Sequence, residues 1–287
     1  MNTVTRSHLS VTACEDALQS ARRTGDPGPI AKCLTDLAVA EMFHVQLQQA
    51  RKHLTEALKI YRQLDQREGE ASVLKQMGLT YEIAGEDARA LKHYQDALPL
   101  HRLAGERSSE AKRLRDIGRM KFHLGQVEAA KESYEQALAI FRAIGDRKGE
   151  ALLLEDLVSL LGSQGRLDAA VKASEDALAI FNDIGDSEGA AGVRVNLGTV
   201  YFFQRRMDEA IASYEVALAY YRRTNNRPDI AIVSRGIGLA HYEAGRDRQA
   251  NERIAEAIRI FESIDPAAAV RLRDQWAKIQ KRTPRKL

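Results

Sequence analysis

Cysteine is nearly absent from this chain, with two in 287 residues, Cys14 and Cys33. Two thiols cannot build a disulfide framework and both fall on helical patterns, so no bridge and a reducing compartment are expected. No run of about 18 apolar residues occurs, which argues against a membrane-spanning helix. The N-terminus carries Arg6 and then polar and acidic residues, not the apolar stretch of a signal peptide. A cytoplasmic protein is expected. The excess of one charge sign is small, +3, and the opposite charges are interleaved, so no general field for nucleic acid or a membrane surface arises. The exception is a basic tail of Lys278, Lys281, Arg282, Arg285 and Lys286, which reads as a solubilising terminus.

Chemistry-bearing motifs are missing too. No HExxH or clustered Cys/His spacing supplies a metal site. His53 and His93 share a position one repeat apart, too distant to pair across helices packed about 10 Å apart. His101 stands where other repeats have Tyr or Phe, and His241 shares its column with Tyr81, Leu161 and Tyr201; both read as packed rings. Gly236-Ile237-Gly238 is interior to a helical stripe, and Gly162-Ser163-Gln164-Gly165 ends a helix, so neither is a phosphate loop. Glu155 and Asp156 are ordinary carboxylates of a helix face. No cofactor, no metal and no catalytic site are expected, and the chain does not read as an enzyme.

What is present is a repeat. Hydrophobic residues make up 44% and charged residues 29%, with only 6 Pro, a helix-rich profile. Ala17, Ala57, Ala97, Ala137, Ala177, Ala217 and Ala257 recur every 40 residues without insertion. A second column of Ala50, Ala90, Ala130, Ala170, Ala210 and Ala250 keeps the register. So do the rings Tyr61, His101, Phe141, Phe181, Tyr221 and Phe261.

Ala130, Tyr134, Ala137, Leu138 and Phe141 follow helical spacing and define one apolar face. Ala71, Leu74, Met77, Gly78 and Tyr81 define a second, and Gly85 follows as a stop. Each unit is therefore a helical hairpin. Asp65, Gly105, Gly145, Gly185, Asn225 and Asp265 follow the second helix, where positive φ is expected. Gly78, Gly118, Gly198 and Gly238 lie inside helices, where glycine costs about 1 kcal/mol against alanine, so close helix approach must offset it. A lone hairpin cannot bury its apolar face, and the hairpins must stack.

Three segments follow. Residues 1–30 hold a half-unit, matching a second helix over 6 to 24, and a stiff Gly25-Asp26-Pro27-Gly28-Pro29 turn. Residues 31–270 hold six hairpins that begin at 31, 71, 111, 151, 191 and 231. Residues 271–287 hold the rest of a capping helix, which Pro266 starts, with Trp276 over the last hairpin, and the basic tail.

Gly198, Tyr201, Ala210, Tyr214 and Ala217, like Gly118, Gly125, Ala130, Tyr134 and Ala137, resemble the tetratricopeptide pattern over 31 to 270. The 40-residue period is longer than the usual one of about 34. It is similar to the long-helix variety of partner-of-inscuteable-type scaffolds, kinesin light chains and the sensor arrays of bacterial signal-transduction ATPases and regulators. Arg194 and Ser234 depart from the pattern by replacing the large apolar residue of the first helix. Arg205 replaces its terminal glycine, and the repeat-ending proline is missing.

The resemblance implies an all-α, right-handed α-solenoid of stacked antiparallel hairpins, a tetratricopeptide superhelix whose first helices line a concave groove. It projects Asp36, Gln76, Asp116, Asp156, Asn196 and Gly236 onto one inner column, where relatives often place a backbone-gripping Asn. Only Asn196 matches. Neighbouring positions add Lys75, Arg115, Arg119 and Arg235, with Phe43, Ile83, Phe122, Phe202, Phe203 and Tyr242 toward the helix ends. Aromatic anchors with selecting charges suit a protein or peptide segment, acidic where it meets the cations. Asp116 and Arg119 are also spaced to pair with each other. The order of Lys and Asn that relatives use for chaperone tails is missing. The expected function is an interaction scaffold, with a sensing array of a larger signal-transduction ATPase or transcription regulator as the alternative.

Overall fold

The structure, a computed structural model, describes residues 10–281. Arg6 and the start of the half-unit, like Arg282, Arg285 and Lys286, lie outside the described residues. Every regular element among the described residues is an α-helix. The helices fall into two units, Met1–Asp146 and Arg147–Leu287. The first holds α1 (Val11–Thr24), α2 (Pro27–Phe43), α3 (Leu47–Gln63), α4 (Arg67–Ile83), α5 (Asp87–Leu103), α6 (Arg107–His123) and α7 (Val127–Ile144). The second holds α8 (Arg147–Ser163), α9 (Leu167–Asp183), α10 (Ser187–Phe203), α11 (Met207–Arg223), α12 (Arg227–Glu243), α13 (Asp247–Ile264) and α14 (Pro266–Gln280).

From α2 to α13 each helix begins 20 residues after the last, so each 40-residue repeat is two near-equal helices joined by short turns. The turns share one hydrogen-bond pattern. After α6, Gly125 N–H donates to the Phe122 carbonyl at 2.9 Å and Gln126 N–H to that of Lys121 at 2.8 Å, with Gly125 left-handed at φ 74°. These two bonds satisfy carbonyls that the helix end would otherwise orphan. The hairpin boundaries drawn at 31, 71 and onward lie four residues inside the first helices, which start at Pro27, Arg67 and their equivalents. Their first turns are polar or glycine-bearing, as in Arg67, Glu68, Gly69 and Glu70, so apolar periodicity begins one turn late.

Two other expectations change at the ends. Pro27-Gly28-Pro29 is the first turn of α2, not a linker: Asp26 caps the helix by accepting from Gly28 N–H at 3.1 Å. Proline at the first helical position lacks only an N–H that the helix does not use. Asp265 departs from its left-handed column, with φ −150°, because Pro266 follows and disfavours helical angles before it. Instead it caps α14, which starts at Pro266, with Oδ1 accepting from Ala268 N–H at 3.0 Å.

The alanine columns are the seams of the core. Ala50, Ala90, Ala130, Ala170, Ala210 and Ala250 are each fully buried, as are Ala57, Ala97, Ala137, Ala177, Ala217 and Ala257. Ala17, in the same register, is exposed. The ring column packs beside them, with Phe141 1% and Phe181 0% exposed, each worth about 1.5–3 kcal/mol on burial. His101, 7% exposed, substitutes for a ring and places Nδ1 2.7 Å from Glu106 Oε2. His53 and His93 find partners inside their own hairpins: Nδ1 of His53 lies 2.9 Å from Glu41 Oε2, and His93 stacks on Tyr81 at 5.2 Å. Within each unit the first helices also touch one another, α2 with α4 and α10 with both α8 and α12, so they share a face.

Candidate functional site

In the first unit, that face carries a polar network spanning α4, α5 and α6. Arg119 Nη2 lies 2.6 Å from Glu82 Oε1 and 3.5 Å from Asp116 Oδ1. Tyr94 O–H donates to Glu82 Oε2 at 2.7 Å. Arg113 Nη2 reaches Asp116 Oδ2 at 2.7 Å, and its guanidinium carbon stands 5.1 Å from the Tyr94 ring centroid. Burial pushes the Asp116 carboxyl up, against the pull of the Arg113, Arg119 and Arg115 guanidiniums, while Glu82 adds to the rise. Lys75 is half-buried, and burial together with Arg113 pushes its amine down. Arg115 is likewise half-buried. The structure thus brings Lys75, Arg115 and Arg119 into one cation-rich neighbourhood, with Arg119 already committed to carboxylates.

Arg113, Glu82 and Tyr94 were not projected as part of this wall. A signal existed for Arg113: its column holds the partly buried Cys33 and the buried Val73, Leu153, Val193 and Val233, and Arg113 is buried too, at 8% exposure. A guanidinium in an apolar column requires a built partner set, here Asp116 and the Tyr94 face.

The second unit presents a different wall. A cavity of about 500 Å³ opens between α8 and α10, with Val158, Leu167, Val200 and Phe203 on its apolar side and Asn196 and Thr199 on its polar side. Asn196 Nδ2 donates to Glu155 Oε1 at 3.0 Å, which orients the amide from the neighbouring first helix. Thr199 Oγ1 lies 2.9 Å from Tyr214 Oη. Phe203 is 66% exposed and meets Phe202 edge-on at 5.9 Å, while Phe202 packs partly into the α10–α12 core. Arg235 on α12 is exposed. Tyr242 is held elsewhere: its O–H donates to the Ile279 carbonyl at 3.1 Å, and its ring meets Trp276 at 5.2 Å. Trp276 Nε1–H donates to Asn251 Oδ1 at 3.1 Å, so α14 closes over the last hairpin.

Among the described residues no group of three or more His, Cys, Asp or Glu is placed to hold a metal ion, and no helix is long and apolar enough to cross a membrane.

None of the curated proteins matches the sequence. Solved structures share the fold. The apo form of RapI superposes with TM-score 0.67 at 17% identity, over 83% of this chain and 85% of that one. A Rap protein complexed with competence and sporulation factor gives 0.64 at 15%, over 88% and 70%. The tetratricopeptide repeat sensor protein from Pyrococcus horikoshii, a signal transduction ATPase with numerous domains, gives 0.71 at 18%; 89% of this chain covers 40% of that one. The family model for the tetratricopeptide repeat matches residues 34–102, 110–183 and 189–263, which takes in all six hairpins. On that match and on the observed helical register, the chain belongs to the tetratricopeptide repeat family.

Proposed function

We propose that the chain is a non-catalytic interaction module that holds a protein or peptide segment against the first-helix face. The observation that carries this reading is the α8–α10 cavity. Its apolar side can take a side chain, while Asn196, steadied by Glu155, keeps its amide oxygen and second N–H for a ligand's backbone. Phe203 supplies a rigid exposed anchor at the rim. In the first unit, Lys75, Arg115 and Arg119 favour an acidic stretch. The related Rap protein in complex with competence and sporulation factor supports a bound-ligand role for this fold. A cytoplasmic setting is part of this proposal; among the described residues no helix is long and apolar enough to cross a membrane.

A second reading, a sensing array of a larger signal-transduction ATPase or regulator, is supported by the sensor from P. horikoshii. Both readings use the same face. The test is quantitative affinity capture with the parent, an Asn196→Ala/Phe203→Ala variant, and a Lys172→Ala/Asp176→Ala control on α9, whose exposed ion pair spans 2.8 Å. Partners retained by the parent and the control but lost from the groove variant support the reading. Equal recovery from all three removes it.

A further inference from the structure

A second opening lies in the same unit but on another side of α10. Arg194 and Asn196 are two residues apart on one helix, about 200° around its axis, so they look in different directions. Arg194 lines a cavity of about 510 Å³ bounded by α9, α10 and α11, with Leu178, Val216, Tyr220 and Arg223. Three departures from the repeat meet there. Arg194 replaces the leucine held elsewhere by Leu34, Leu74, Leu114 and Leu154, all buried. Val216 stands where other repeats have Glu56, Asp96, Gln136, Asp176 and Glu256, and Asn182 where they have Arg22, Arg62, Arg102, Arg142 and Arg222.

The neighbouring repeats show what these positions do. Arg22 pairs with Glu56 at 2.9 Å and Arg222 with Glu256 at 2.5 Å, an ion pair between successive second helices. Ser234, in the Arg194 column, donates to Glu256 Oε2 at 3.2 Å, so the two columns touch. At the 182/216 pair both charges are gone, and the first helix supplies a cation in place of an apolar residue. Among the described residues Arg194 has no hydrogen-bonding or ion-pairing partner. Its half-buried guanidinium therefore stands beside Val216, 54% exposed, with the acid of that column removed. Arg223, also exposed, adds a second cation over the Tyr220 ring at 5.5 Å.

A cation without its acid, on an apolar floor between two second helices, is complementary to an outside carboxylate joined to an aliphatic group. We propose that this cavity is a second docking site, separate from the first-helix face, for a protein segment that presents an aliphatic side chain flanked by acidic ones. The aliphatic group rests on Leu178 and Val216, and the carboxylates meet Arg194 and Arg223.

The test uses the full chain and a fluorescein-labelled peptide, Gly-Ser-Glu-Leu-Glu-Ser-Gly, followed by anisotropy at low salt. Arg194→Leu installs the residue of the sister repeats, and Val216→Glu returns the missing acid to face Arg194, so both should fold, as melting curves will check. The expected result is saturable binding, weakened at least tenfold by either substitution and by exchanging the peptide's Glu for Gln, and unchanged by Asn196→Ala. Equal affinity for parent and Arg194→Leu overturns the proposal, as does no saturation up to millimolar peptide. Loss of binding in Asn196→Ala with full binding in Val216→Glu also overturns it, by placing the peptide on the first-helix face.

Discussion

A Cβ added to Gly118 would stand 2.6 Å from both Cδ1 and Cε1 of Tyr134, a separation that carbon atoms do not tolerate. The fully packed tyrosine ring, 1% exposed, fills the space that any side chain at 118 would need. An added Cβ would likewise stand 2.4 Å from Tyr94 at Gly78 and 2.8 Å from Tyr214 at Gly198, so glycine and tyrosine are one packing unit in these three hairpins. In two of the other hairpins the ring shrinks and the small residue grows, Ala38 with Leu54 and Val158 with Ser174, while in the last Ile254 still crowds Gly238.

Gly118→Ala should therefore destabilise the chain by about 1–3 kcal/mol through overpacking, despite alanine's better helix propensity. Gly162 is a matched comparison, helical and with open space where a Cβ would go. Gly162→Ala should stabilise by about 0.5–1 kcal/mol. Urea unfolding of the two variants checks this, and stabilisation of both would mean that Tyr134 moves aside freely.

Val45 closes α2 with φ 59°, a left-handed angle that a β-branched residue adopts only under strain. Equivalent turns use Gly85, Gly125, Gly165 and Gly245, all left-handed, so the hydrogen-bond pattern of the turn imposes the angle whatever the residue. Val45 is 71% exposed and loses little packing when removed. Val45→Gly should stabilise the first unit by about 1 kcal/mol. Arg205, at φ 63°, is the counterpart in the second unit, but Arg205→Gly also deletes its 2.7 Å ion pair with Glu243, so its gain should be smaller. Thermal melts in which Val45→Gly lies at or below the parent would contradict the strain argument.

The columns made most of the fold legible from sequence, because a fixed 40-residue period with no insertion turns each alanine or aromatic column into a packing statement. The helix starts were less legible. The first turns of α4 and α6 are polar and capped without a side chain, so nothing in their periodicity marks the boundary. Asp265 shares a column with the left-handed Asp65, Gly105, Gly145, Gly185 and Asn225, but the proline beside it decides its angle. On the candidate face, Arg119 and Asp116 stand out from spacing alone, but Glu82 belongs to the preceding first helix and Tyr94 to its partner. A network that crosses three helices has no single period to betray it. Tyr242 was projected onto the groove by register, whereas Trp276, from beyond the repeats, engages it.

Asp186 offers a pH-dependent test. Its Oδ1 accepts from Gly189 N–H at 3.0 Å as the cap of α10, and Lys148 Nζ lies 2.7 Å from Oδ2. The backbone bond and then the lysine hold its carboxyl below the usual range. Depressed in the folded state, the group adds stability that is fully present above the unfolded-state value near 4 and disappears as pH falls through the folded one. Asp186→Ala should cost about 1–2 kcal/mol at pH 7. The gap between variant and parent should narrow below about pH 4. Urea midpoints at pH 7, 5 and 3 measure it, and a gap that is constant across that range would deny the carboxylate its role.

Arg119 and Arg235 were both projected as ligand-facing cations, but the structure gives them different energetic positions. Arg119 holds Glu82 at 2.6 Å and leans on Asp116, whose side chain is only 14% exposed. Removing the guanidinium leaves Glu82 held by the Tyr94 hydroxyl without a cation beside it, while Asp116 keeps Arg113 at 2.7 Å, a buried-charge penalty that partial exposure moderates. Arg119→Ala should therefore destabilise by about 1–3 kcal/mol, whereas Arg235→Ala, at an exposed position, should stay within about 0.5 kcal/mol. Adding Glu82→Ala to Arg119→Ala removes the carboxylate that lost its cation, so the double variant should be less destabilised than the two single losses added together. A coupling above about 0.5 kcal/mol in that cycle marks the pair as interacting. The consequence for binding work is specific: a partner lost with Arg119→Ala reports on the wall only if that variant is compared at equal folded fraction, while one lost with Arg235→Ala reports on the wall directly. Chemical denaturation of the four Arg119 and Glu82 combinations decides it, and an Arg119→Ala variant as stable as Arg235→Ala would mean that the network is not held together as the distances indicate.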